Sequence, residues 1–179
     1  MFGFGRVRKE ATAVGTAAAR LAILPFWDLF ARAFDTRIWS DPYLLGLIQG
    51  SATAQTLPFT GRNLSTTDKG FVILNAMRNL GASDAAIEFS MALNIDKDSD
   101  FMRGYDDAIV TFLIMGGALK EEAYSEPDVI AAREAMSDFD EMDALINGFD
   151  TRTLGEKHGA AFIYLKVNRH KRDHYPSTV

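Results

Sequence analysis

The stretch SDPYLLGLIQGSATAQ, residues 40–55, decides the fold class. Ser40 or Asp41 offers a capping side chain, and Pro42 then sits in the first turn, where a missing backbone donor is tolerated. The apolar residues behind this start read as a helix running to about Gln55. Gly46 and Gly50 lie inside it, and each costs up to about 1 kcal/mol of helix propensity relative to alanine. Glycines kept at such a cost predict a backbone that another helix approaches closely, either within the molecule or from a subunit or ligand. Pro58 and Gly61 then mark residues 56–63 as a loop.

Working outward toward the N-terminus, a helix begins near Glu10 and runs through an alanine-rich segment to Pro25, which must kink or restart it. Its second half, Pro25 to about Phe34, shows Phe26, Trp27, Leu29, Phe30 and Phe34 beside a polar stripe of Asp28, Arg32 and Asp35. Toward the C-terminus, Ser65 with Asp68 resembles a capping arrangement, and Gly81 is placed to end the helix it opens. Ser83 caps a shorter helix ending near Asn94, and a longer one follows and runs to Gly116-Gly117. After Ser125 the residues Val129, Ala132, Met136, Phe139 and Ile146 recur at helical spacing, with Glu134, Asp138, Glu141 and Asp143 between them and Gly148 as a stop. Thr153 with Glu156 predicts a capped helix through residues 160–167, although Phe162-Ile163-Tyr164-Leu165 and Val167 favour strands. With no strand partner in view, helix is the reading. The sum is an all-α, single compact domain of six or seven helices with a Pro-kinked N-terminal helix. Residues 1–39 form a basic, aromatic helical segment, and residues 40–179 form an acidic helical domain with a short basic tail.

Charge is sorted in blocks. Residues 1–39 carry six basic against three acidic groups, residues 166–179 carry four against one, and the part between carries nine against twenty. Basic ends on an acidic body can bridge oppositely charged partners, lie on an anionic surface or pair internally. The 47% hydrophobic composition is that of a globular protein and argues against global disorder. Absence of cysteine excludes disulfides, a thiolate nucleophile and cysteine-ligated metal clusters. The most apolar run, Ala108 to Leu119, is too short for a spanning helix of about 20 residues. Arg20 and the bulky residues behind it do not match a cleaved leader, so a cytoplasmic protein, free or peripheral to a membrane, is the expectation.

Asp96, Asp98, Asp100 and Asp107 fall at positions 1, 3, 5 and 12 of a calcium-binding loop. Phe101 stands where such a loop needs glycine, and Asp107 replaces the longer bidentate glutamate. The alternative is that Asp98 or Ser99 caps the following helix. His170 and His174 share a helical spacing but sit among Arg169, Lys171 and Arg172, which disfavours a dication. Gly3-x-Gly5 lacks the preceding strand and third glycine of a dinucleotide motif. Four tail cations on a protein of pI near 5.2 make a small footprint for nucleic acid, which is not expected as a partner.

The N-terminal segment is the strongest interaction candidate. Phe4, Arg6, Arg8 and Lys9 precede a helix-kink-helix bearing Leu24, Trp27, Phe30 and Phe34, and aromatics beside cations suit a protein partner, a second copy of the chain or an anionic membrane surface. The leading expectation is a non-catalytic adaptor or complex subunit without a cofactor. Two further expectations are a cation- or ligand-binding regulator at residues 96–107, and a helical enzyme drawing on Glu88, Asp106, Asp107 or His158.

Overall fold

The computed structural model describes residues 4–54, 64–136 and 153–175, with the side chains of residues 4–6 outside that description. Seven α-helices fall among the described residues: α1 (Phe4–Ala22), α2 (Pro42–Ala54), α3 (Thr66–Asn79), α4 (Asp84–Asp96), α5 (Ser99–Met115), α6 (Pro127–Glu134) and α7 (Leu154–His174). Short 3-10 turns at Leu24–Phe26, Thr36–Ser40 and Glu121–Ser125 link them, and one two-stranded hairpin is the only sheet among these residues. The all-α class expected from the sequence is what the chain adopts.

The starts and stops follow the expected local chemistry. Asp41 accepts from the Leu44 amide, Ser65 from that of Asp68 and Ser83 from that of Ala86. Thr153 and Glu156 form a complete capping box, each side chain accepting from the other's backbone amide. That box, with Ala161, Phe162 and Val167 of α7 buried, holds the strand-favouring residues 162–167 in a helix. Gly81 and Gly117 take positive φ behind α3 and α5, the backbone state that ends a helix without a Cβ clash. The periodic helix after Ser125 is observed through Glu134, and the rest of that pattern, Phe139 to Gly148, lies outside the described residues.

By packing, the chain divides into two units, Met1–Ile109 and Val110–Val179. In the first, α2 is buried on every side from Tyr43 to Thr53, with α1, α3 and α4 packed around it. Its glycines are where other helices cross. A methyl group on Gly46 would collide with the Phe101 carbonyl of α5, and one on Gly104 of α5 would collide with the Tyr43 carbonyl of α2. One on Gly50 would lie 2.8 Å from the Tyr105 carbonyl oxygen, and one on Gly15 of α1 would lie 2.6 Å from that of Ala52. The glycine spacing of α2 thus serves packing inside the monomer. The contacting side of α1, built from Ala11, Gly15, Ala18, Ala19 and Ala22, is small enough to admit the same close approach.

The second unit has its own core of Ile114, Val129, Ala132, Ala161 and Phe162, flanked by Val110, Leu119, Tyr124, Met136 and Leu165. Lys166 and Arg169 of α7 converge on Asp128 of α6 at 3.0 and 2.9 Å. Their hydrogen bonds, that of Arg169 foremost, hold the Asp128 carboxyl below its usual range.

The glycine crossings yield a direct test. Gly46→Ala or Gly104→Ala forces two backbones apart and is expected to cost about 2–3 kcal/mol or more in urea unfolding. Gly70→Ala, in α3 with open space around the new methyl group, is expected to stabilise by about 0.5–1 kcal/mol. Equal effects at the three positions would refute the packing role.

Candidate functional site

The sequence expected α1 to resume after Pro25, and it does not. Pro25 lies in a 3-10 turn, and the chain then forms β1 (Trp27–Asp28) and β2 (Ala33–Phe34), an antiparallel pair with Trp27 opposite Phe34 and Asp28 opposite Ala33. Two kinds of side-chain contact decide this. The Asp28 carboxylate accepts from the Phe30 and Ala31 amides at 2.8 and 3.1 Å, starting a turn where a helix would need those amides elsewhere. Trp27 and Phe34 meet edge to face with ring centroids 4.9 Å apart, a cross-strand pair that favours a hairpin. The Arg20 guanidinium lies over the Trp27 ring at 5.0 Å. Arg32, at φ 52°, takes the left-handed turn that closes the loop.

The expected aromatic face is therefore split. Phe34 is buried, as is Phe26, and Trp27 is half-buried, so these rings belong to the fold. Phe30 is 101% exposed and Leu29 78% exposed at the hairpin apex, while Leu21 at the end of α1 and Leu24 on the turn leading into the hairpin are also exposed.

The basic residues expected to act beside these aromatics are also separated from them. Arg8 and Lys9 lie about 18 Å along α1 from Arg20 and Leu21, at 1.5 Å of rise per residue. Arg8 is engaged within the unit, with its Nε 2.6 Å from Asp68 and its guanidinium over Phe71. Hydrogen bonds from Ser65 first, and then from Arg8, lower the Asp68 carboxyl from its usual range. Lys9 is exposed, and the Phe4 and Arg6 side chains lie outside the described residues. The cations near the apex are instead Arg20 and Arg32, both exposed.

The four aspartates read as a calcium loop are not brought together. Residues 99–115 are helix, and the absent glycine at Phe101 is consistent with that outcome. Asp98 caps α5 by accepting from the Asp100 and Phe101 amides, as the capping alternative expected. Asp100 pairs with Arg103 at 3.1 Å, Asp96 is exposed at the end of α4, and Asp107 is buried. Among the described residues no group of three or more His, Asp or Glu could hold a metal ion.

The enzyme candidates have separate surroundings within each unit. Glu88 and Asp106 are exposed. His158 is buried with Nε2 2.8 Å from the Val129 carbonyl oxygen. A carbonyl only accepts, so that nitrogen carries the proton and is not a free base. Asp107 accepts the Tyr43 hydroxyl at 3.0 Å inside the first unit, with the Arg103 guanidinium over the Tyr43 ring at 5.3 Å. Burial, then the neighbouring Asp107 charge, drives the Tyr43 phenol far above its ordinary range.

Because folded Tyr43 keeps its proton while an unfolded tyrosine loses it near pH 10, Tyr43 adds stability that is complete below about pH 10 and declines above it. Tyr43→Phe is expected to lose about 1–3 kcal/mol near neutral pH and to show a shallower fall between about pH 10 and 12. Urea unfolding at a series of pH values reads both. An alkaline arm as steep as that of the parent protein would contradict the buried, protonated phenol.

Among the described residues no helix is long and apolar enough to cross a membrane. Comparison with known proteins found no matching family model, no matching curated protein and no matching solved structure.

Proposed function

We propose that the protein is a non-catalytic docking module that engages a larger surface through the apex of its N-terminal hairpin. The observation that carries this reading is the full exposure of Phe30 beside Leu29 on a loop whose backbone is otherwise tied down. Covering a side chain of either type contributes about 1.5–3 kcal/mol, so leaving both in water forgoes a gain that a docking partner recovers. The loop is already shaped by Asp28, by the Trp27–Phe34 contact and by the Arg20 guanidinium, so little ordering cost remains to be met on binding.

Residues so exposed contribute little to folding, which separates docking from stability. Phe30→Asp and Leu29→Asp are expected to change unfolding stability by no more than about 0.5 kcal/mol. In differential sedimentation of lysate from the source cell, the parent protein is expected with large assemblies or membranes and Phe30→Asp in the free fraction. Identical free sedimentation of both would overturn the reading.

A further inference from the structure

We infer that the surface taken by the hairpin apex is an anionic lipid bilayer, with Leu29 and Phe30 entering the headgroup–acyl boundary and Arg20 and Arg32 meeting lipid phosphates. The inference rests on the docking reading above and names its partner. Two observations favour lipid over protein.

The first is size. Leu29 and Phe30 each offer roughly 200 Å² at most, whereas a stable protein interface takes about 800 Å² from each partner. A bilayer has no such threshold, because each apolar side chain that enters the boundary adds its own transfer free energy. Leu21 and Leu24, exposed on the approach to the hairpin, add to the apolar area that could follow.

The second is charge. Asp28 directs its carboxylate into the loop amides, and Asp35 is held by Arg37 in a two-pronged pair. Arg20 stacks on Trp27, and Arg32 stands at the end of the apex loop, both exposed. Guanidinium groups beside an apolar apex complement a negatively charged headgroup layer. Residues 40–109 of the same unit carry nine acidic against five basic groups, so an anionic bilayer repels that part and favours contact through residues 1–39.

Flotation of the purified full-length protein with vesicles tests this. Vesicles containing phosphatidylserine are expected to carry the protein upward, and pure phosphatidylcholine vesicles to carry at least about fivefold less. Phe30→Asp should lower partitioning about tenfold or more. Arg20→Gln and Arg32→Gln should each lower it about fivefold, with the loss shrinking as salt is raised. No flotation with phosphatidylserine, or equal flotation of the parent protein and Phe30→Asp, overturns the lipid assignment. If that occurs while sedimentation in lysate still depends on Phe30, the apex docks on a protein and the docking reading stands without the lipid.

Discussion

The close crossing of α2 by its neighbours is the constraint on which the first unit depends. At Gly46 and Gly104, helices α2 and α5 each present a bare Cα to the other's carbonyl, and at Gly15 α1 does the same to the end of α2. Helices this close exclude side chains from the seam and gain dense backbone contact in return. A helix buried on all sides needs such neighbours, since its polar groups must be satisfied without water. Thr53 does so by donating to the Gln49 and Gly50 carbonyls in its own helix.

Most of the helical frame was legible because capping is local chemistry. Asp41, Ser65, Ser83, Asp98 and Thr153 each act within three residues of their own position, which a linear reading can find. The glycine spacing of α2 also signalled a close neighbour, but its partner, Gly104, is a lone glycine more than fifty residues away. Nothing local identifies it. The hairpin was missed for a related reason. Its loop, Leu29 to Arg32, holds no glycine or asparagine, and the left-handed position falls on an arginine, so the usual turn signature is absent. What sets it is a side-chain-to-backbone contact from Asp28 and a ring contact seven residues apart, between Trp27 and Phe34.

The candidate site was half legible. Sequence expected Leu24, Trp27, Phe30 and Phe34 on one outward face; Leu24 and Phe30 are exposed, whereas Phe34 is buried and Trp27 half-buried. The hairpin sends Phe34 inward and leaves Leu29 out, because strands alternate their side chains and turns present theirs at the tip. The cations expected beside these aromatics, Arg8 and Lys9, are separated from the apex by the rise along α1. Aromatic content marked the segment, and backbone geometry decided which aromatics remained available.

The Gln49 side chain deserves a different reading from the apolar residues around it. Its amide nitrogen donates to Ser90 at 2.8 Å, and its oxygen accepts from Asn94 at 3.1 Å, so both ends of one buried group are fixed on successive turns of α4. Greasy surfaces alone would let α4 slide along α2 by a turn with little penalty. Here such a slip would strand several polar atoms away from water, each at about 1–3 kcal/mol. The trio works as a ratchet tooth: it adds little net stability, but it leaves a single permitted alignment for the two helices.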